Sequence, residues 1–556
     1  MRFHGGLVRG WILGPTGDVP SRMLRVERLA SSVRAFDPPM LELFRWVAHR
    51  YVAPLAAVIG RAVPPRVAGE EAGASHPDAV RAPAARGPRT SVLPAYRGAG
   101  AMLRAIADRE TAAFALRPAP EDEAAVIAES VAACLASGRR ALVVVPEADP
   151  VPSVATALQD AFGGRVVSLV GGDRRERYRT WMRIARDEGD VVVATRPGVF
   201  APIHDLGLVA ISRESHPALR EDRAPYFHAR EVGLTRARLG GAVAVLSALC
   251  PSAETAASGM PVVEPPARRW PPVEVVKPGP EGRAPRLVQA LRGTRRGFVF
   301  SPLPGYGIAR VCRSCGEPAA CAACDGVLRQ QRGEVRCIVC DAVGTCARCG
   351  GTTFGIRRGG QERVEEWASR AAPVPVRRVD TPRLPHEGEI LVGGADDVRD
   401  LGVGALDLVA VLDADLAARR PGVTARERAL AVWMEAVGWA RPGGRAIVQA
   451  SDPSDPAVQA LVRGNASRFH EHERRRRADA GFPVGVPVFR VTGDDRVAAH
   501  LRELDPVTIL IAAGGGGAPT VCLLAVAHER LEAFGAAMRE LAAGGVVDRV
   551  EADPHL

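Results

Sequence analysis

RPAPEDEAA, residues 117 to 125, opens the segment whose reading decides the fold. Its continuation, VIAESVAACLASGRRALVVVPEADP, reads as an amphipathic helix followed by a short Val-rich buried strand ending at Val145-Pro146-Glu147. A loop that opens such a helix in an open α/β sheet is the usual seat of a nucleotide phosphate, because backbone N–H groups and the helix dipole favour an anion there. Here that loop carries Glu121, Asp122 and Glu123. Carboxylates suit a helix start and repel phosphate, so the same residues support the helix and spoil the pocket. The stretch therefore describes a nucleotide-type unit whose phosphate seat is blocked.

The rest of the composition sharpens that reading. The chain has 556 residues, 47% of them hydrophobic, enough for about three or four domains. No run of about 18 apolar residues occurs, and MRFHGGLVRGWILG lacks the apolar core of a signal peptide, so the expectation is a cytoplasmic protein without a membrane partner. Its eleven cysteines are then reduced thiols. The net charge of +10 is almost wholly arginine, with one lysine, Lys277, in VEVVKPGP. No GK[ST] exists anywhere, which excludes a standard phosphate-binding loop. A basic balance fits contact with nucleic acid or simply a solvated surface.

Along the chain, residues 1–65 form a small N-terminal module with a helix over PPMLELFRWVAHRYVAPLAAVIGRAVP, and residues 66–95, rich in Ala, Pro, Gly and Arg, read as a flexible linker. From 96 to 260, helical stretches alternate with the buried runs ALVVVPE, GRVVSLV, DVVVATRP, LGLVAIS and AVAVLSALC. From 285 to 455 the pattern repeats with RGFVFSP, PVRRVD, EILVGG, LDLVAVLDAD and GRAIVQASD. Each set predicts an α/β lobe with a parallel sheet. Residues 486–556 predict a small α+β domain.

Inside the second lobe, at 311–350, Cys312, Cys315, Cys321, Cys324, Cys337, Cys340, Cys346 and Cys349 form four C-x-x-C pairs separated by five, twelve and five residues. Such pairs present thiolates to a tetrahedral metal, so the expectation is two structural Zn ions per chain, each in a closed Cys-only shell. The palindromic spacing favours a nested arrangement: Cys312, Cys315, Cys346 and Cys349 on one ion, Cys321, Cys324, Cys337 and Cys340 on the other. Sequential pairing across the five-residue gaps stays open. Iron–sulfur ligation and disulfides fit less well. Cys134, Cys250 and Cys522 lie in apolar runs and read as buried hydrophobes.

With these residues in place, the chain resembles the primosomal protein N′ (PriA) family of bacterial replication-restart helicases. The resemblance rests on the two lobes, the eight-cysteine insertion and the ordered stretches ALVVVPE, ATRPGVFAP (194–202), APYFHARE (224–231), CPSAET (250–255), GGQERVEEW (359–367), AVLDADL (410–416) and DAGFP (479–483). It implies an α/β fold of two tandem RecA-like lobes with a two-zinc ribbon, an N-terminal DNA-binding module and a C-terminal α+β domain. The family's winged-helix segment is reduced here to the linker, and its N-terminal barrel begins abruptly, as if strands lay upstream of Met1.

Departures from the family pattern bear on activity. The phosphate loop falls on Pro120, Glu121, Asp122, Glu123 and Ala124, with the lysine replaced by Glu123. The metal-holding DEEH box falls on Ser212, Arg213, Glu214 and Ser215, which cannot supply its carboxylate pair. Trp439 and Pro442 stand where the family places charge-stabilising arginines, and Arg399-Asp400 replaces a Lys-Gly step. Together they imply a degenerate core without ATP hydrolysis and no catalytic residue.

For DNA contact, the resemblance singles out Arg196 and the aromatic-basic run Tyr226, Phe227, His228 and Arg230, where a ring could stack on an unpaired base. The alternative is that Tyr226 and Phe227 anchor a helix start in the core. Arg474 to Arg477 form a charge run, and Arg313, Arg329, Arg332, Arg336 and Arg348 surround the cysteines. The resemblance implies a replication-restart protein that binds stalled forks and helps assemble the primosome without unwinding DNA. Its implied partners are forked and single-stranded DNA, helicase-loading primosome proteins and single-strand-binding protein. Two alternatives remain: an ATP-dependent helicase with an atypical nucleotide site, and a zinc-stabilised scaffold without DNA affinity.

Overall fold

Val-rich runs buried along their whole length need cover on both faces, and that requirement shapes both lobes. The computed structural model describes residues 2–554 apart from 4–5, 8–9, 16, 18–25, 73–86, 89–90, 268, 280–281, 303–307, 316, 318, 320, 323–327, 332–333, 338–341, 359, 402–404, 416–422 and 513–518. A minimal antiparallel pair, β1 (Arg2–Phe3) and β2 (Gly6–Leu7), comes first. The first lobe is a seven-stranded, all-parallel sheet of β3 (Ala112–Leu116), β4 (Arg140–Val144), β5 (Val166–Leu169), β6 (Val191–Ala194), β7 (Leu206–Ile211), β8 (Val243–Ser247) and β9 (Val262–Val263). Its order is β5-β6-β4-β7-β8-β3-β9. Every residue of β6, β7 and β8 is buried. The Ala-rich β3 has little strand propensity of its own and is held by pairing with β8 and β9.

The second lobe is a six-stranded parallel sheet ordered β10-β19-β18-β11-β17-β16. Its strands are β10 (Val273–Val276), β11 (Gly297–Phe300), β16 (Val376–Arg378), β17 (Ile390–Gly393), β18 (Leu406–Val411) and β19 (Ala440–Gln449). Between β11 and β16 rises the cysteine ribbon, in which β12 (Ile308–Cys312) pairs antiparallel with β15 (Phe354–Arg358), and β13 (Leu328–Gln331) with β14 (Glu334–Cys337). The C-terminal sheet is antiparallel: β21 (Thr508–Ala512), β22 (Thr520–Ala525), β20 (Val488–Gly493) and β23 (Val547–Ala552) lie side by side in that order.

The N-terminal helical stretch is two helices, Pro38–Arg50 and Leu55–Ala62, not one continuous helix. Pro54 sits at the break; its ring removes an N–H and disfavours helical backbone at the residue before it. Asp37 caps the first helix by accepting from Met40 N at 2.9 Å. Phe44, Val47, Tyr51 and Ile59 share one continuous core with the first lobe (Phe200, Phe227) and the C-terminal domain (Phe489, Phe534). The 66–95 stretch is docked at both ends, through the helix Ala68–Ala72 and the turn Leu93–Ala95, while its middle lies outside the described residues.

Candidate functional site

The loop after β3 is sealed from within. Asp122 stands at the N-cap of the helix Glu123–Ala136 without capping it. Its carboxylate accepts from Tyr96 Oη at 2.7 Å and pairs with Arg269, stronger partners than the helix N–H groups. Arg269 also reaches Glu121 at 3.0 Å. Glu123, where the resemblance places the phosphate-gripping lysine, turns inward. Its Oε1 accepts from Ser247 Oγ at 2.6 Å, Ser212 Oγ at 3.2 Å and Arg213 N at 3.3 Å. Burial, with the negative charges of Glu435 and Asp400, pushes the Glu123 carboxyl up to about 7. A neutral or acidic group so enclosed offers a phosphate no cation.

The second lobe closes onto the same place. Arg213 has left-handed backbone (φ 48°), is buried, and bridges Glu147 at 3.5 Å in its own lobe to Glu435 at 3.4 Å in the helix Ala425–Gly438. Arg399, in the loop after β17, pairs with Glu147, and Asp400 accepts from Ser153 Oγ. A Cβ at Gly438 would stand 3.2 Å from Pro120 Cβ and 3.2 Å from Leu249 Cδ1, so the second lobe's helix packs directly on the acidic loop. Trp439 is buried edge-on against Phe298, ring centroids 5.1 Å apart, and Pro442 is exposed. Glu214 accepts from Ser252 N at 2.6 Å, Ser252 Oγ at 2.9 Å and Arg230 at 3.3 Å, and burial raises its pKa. Glu147 and Glu435 escaped the sequence reading; the one signal was a carboxylate ending the Val-rich run at Glu147.

The candidate DNA contacts are placed mostly inward. Tyr226 (φ 58°) and Phe227 are buried, Phe227 edge-on to Phe200 at 5.0 Å. Arg196 donates to the carbonyls of Ala218 and Arg220, at 2.6 and 2.7 Å, and to Glu221 at 3.2 Å. His228 caps the helix Ala229–Leu239, its Nδ1 accepting from Arg230 N at 3.2 Å. His228 and Arg230 do line a cavity of about 340 Å³ where the two lobes and the C-terminal domain meet, with Arg50, Arg220, Arg477 and His528. Arg50 Nη2 pairs with Asp553 at 2.9 Å, while its buried Nη1 has no hydrogen-bond partner. Arg477, last of the arginine run, is also a clamp: it joins Glu254 at 3.0 Å to Glu427 at 2.7 Å. Burial opposes charge on Glu254, yet Arg230 and Arg477 hold it down at about 2. Burial, with Glu254 nearby, pushes Glu427 up to about 7.

The ribbon brings Cys312, Cys315, Cys346 and Cys349 together, with all four Sγ atoms within 4.8 Å of one another. Cys312 and Cys349, and Cys315 and Cys346, approach at 3.6 Å. A Zn–S bond of about 2.3 Å puts tetrahedral thiolates roughly 3.8 Å apart, so this set fits one zinc ion. Burial opposes ionisation of Cys312, but the backbone N–H groups of Cys315 and Ser314 bring it down to about 6. Gly351 keeps the shell open, because a Cβ there would lie 3.2 Å from Cys312 Sγ and 3.3 Å from Cys349 Sγ. Of the inner set, Cys321 and Cys337 are buried beside Leu328, whereas Cys324 and Cys340 lie outside the described residues. Arg332 lies outside them as well. Arg348 pairs with Glu317 at 3.5 Å.

Two parallel-sheet lobes meeting through the loops at their strand ends, with a four-thiolate ribbon set into the second, define a two-lobed α/β protein with a cysteine cluster that could hold one zinc ion. No family profile matches the chain. It is 30% identical to the probable replication restart protein PriA of Mycobacterium tuberculosis (strain ATCC 25618 / H37Rv), over 90% of this chain and 83% of that protein. Replication restart protein PriA of Bacillus subtilis (strain 168) is 26% identical over 64% of this chain and 50% of its own length. The chain belongs to the replication restart protein PriA family. Among solved structures, the DUF1998 helicase MrfA bound to DNA aligns with 67% of this chain and 50% of its own at 12% identity and a TM-score of 0.35. No helix among the described residues is long and apolar enough to cross a membrane.

Proposed function

We propose that this chain serves replication restart as a catalytically silent member of its family: it recognises branched DNA at stalled forks and helps assemble the primosome, without hydrolysing ATP. The observation that carries the reading is Glu123, which replaces the phosphate-gripping lysine and is spent as a buried acceptor for Ser247, Ser212 and Arg213 N. Around it, Arg213 is committed to Glu147 and Glu435, so neither a metal nor a γ-phosphate has a ligand set. Recognition then falls to basic surface and to the three-way cavity, while the zinc ribbon, with two ions in this reading, offers a rigid face to primosome proteins or single-strand-binding protein.

The test is fluorescence anisotropy of the zinc-loaded protein on a model fork and on a duplex of equal length, over a salt series without ATP, beside an ATPase assay with fork present. Fork-preferring binding with a steep salt slope and no hydrolysis is expected. Hydrolysis above background would replace this reading with an atypical helicase. Weak binding, equal on both DNAs, would favour a protein scaffold, the reading to which the buried Tyr226 and Phe227 and the paired Arg196 lend weight.

A further inference from the structure

The helix Arg174–Ala185, RRERYRTWMRIA, follows the edge strand β5 of the first lobe. One face is apolar: Tyr178 and Trp181 stack at 6.1 Å and, with Met182, bury against Val33, Val63 and Val67. The other is cationic. Arg175, Arg179 and Arg183 recur at every fourth position, so they form a ladder with rungs about 6 Å apart along the axis. Their side chains are 65%, 54% and 46% exposed. Beside the ladder lies a groove of about 320 Å³, lined by Arg177, Arg179, Arg183, Ser168, Thr180 and the Gly171–Gly172 turn, with Leu169, Val170 and the Glu176 carboxylate completing its wall. The three guanidiniums and two hydroxyls suit phosphate oxygens.

A short acidic strap from the N-terminal side lies across this ladder. In the helix Ala68–Ala72, Glu70 pairs with Arg175 and with Arg179, the latter at 2.7 Å, and only 9% of its side chain is exposed. Glu71 fixes the strap from the other side, accepting from Tyr178 Oη, from Ser31 Oγ at 2.9 Å and from Arg66 at 2.6 Å. One carboxylate thus spans two adjacent rungs, as a bridging phosphate would.

We propose that the Arg175–Arg179–Arg183 ladder and its groove are a binding surface for the phosphate backbone of nucleic acid, and that Glu70 is a phosphate mimic which competes for it. The proposal rests on the DNA-binding reading above and names its surface. Binding exchanges the Glu70 pairs for phosphate pairs, so charge is conserved on the arginines while the strap is released.

The experiment uses the full chain in the same fork-binding salt series, with melting temperatures measured on every variant. R175A/R179A is expected to weaken binding about tenfold near physiological salt and to lower the salt slope by about two, one for each lost phosphate contact. R183A, which leaves both strap pairs intact, is expected to weaken binding about threefold. Glu70→Gln is expected to strengthen binding about threefold. If the parent binds forks but R183A and R175A/R179A match it, the ladder is not the surface, although fork recognition stands. If Glu70→Gln only lowers the melting temperature, the strap is a structural tie and the mimicry is overturned. A parent that binds no DNA, with E70Q that does, would support the ladder; failure of both would overturn this proposal together with the fork reading.

Discussion

Glu123 decides what its loop can do, and its titration exposes that role. The folded protein holds its carboxyl at about 7, whereas the unfolded chain releases the proton in the ordinary carboxylate range. Between those values the native state binds more protons, so this group's contribution to stability falls as pH rises through that window and levels off above about 7. The size is on the order of 3 kcal/mol for a shift this large. Glu123→Gln keeps an acceptor for Ser247 and cannot ionise. Thermal melts from pH 5 to 8 should show a shallower decline for the variant, with the residual slope left to the other buried carboxyls whose pKa is raised, Glu427 among them. Equal slopes would mean that Glu123 is charged throughout. Arg213→Ala acts in the opposite sense: it strands Glu435 without its cation, leaves Glu147 to Arg399, and should cost about 3 kcal/mol at pH 7. Urea titration reads that loss directly. The acidic character of the loop was legible because Glu121, Asp122 and Glu123 carry it whatever the fold. Its partners were not legible, since Ser212, Ser247 and Glu435 meet Glu123 only through tertiary structure.

At the scale of elements, what could be read from the chain depended on how completely an element's own residues specify it. The Val-rich strands β4, β6, β7 and β8 declare themselves because a strand covered on both faces must be apolar throughout. β3 is mostly alanine, β9 has two residues and β10 is half-exposed at an edge, so pairing defines them and local pattern does not. The run Tyr226–Arg230 has the letters of a stacking platform and of a core anchor alike; the burial of Tyr226 and Phe227 is decided by tertiary structure and not by those letters. The cysteine ribbon was legible in its ligand types but open in its pairing, and closure of Cys312, Cys315, Cys346 and Cys349 now predicts a local effect. Cys315→Ser should lower bound zinc by one ion per chain, measured by mass spectrometry of the metal. Limited proteolysis should then cut within 308–358 while both lobes stay protected, because each lobe has its own core.

For the whole molecule, residues around the acidic loop also join the lobes. A two-lobed motor needs an interface that opens and closes with its nucleotide. Here Arg213 ties Glu147 to Glu435, Arg399 ties the loop after β17 to Glu147, and Arg477 ties Glu254 to Glu427. Pro120 and Leu249 pack on Gly438 between them. These contacts are largely buried and need no ligand, so they favour the closed arrangement. Fluorescence energy transfer between dyes placed on the two lobes should therefore be unchanged by ATP, ADP or a non-hydrolysable analogue with Mg²⁺. Arg213→Ala combined with Arg477→Ala, which removes two of these three bridging cations, should broaden the distance distribution and lower its mean transfer. A nucleotide-dependent shift in the parent would show that the seat still takes phosphate, and that the bridges yield to it.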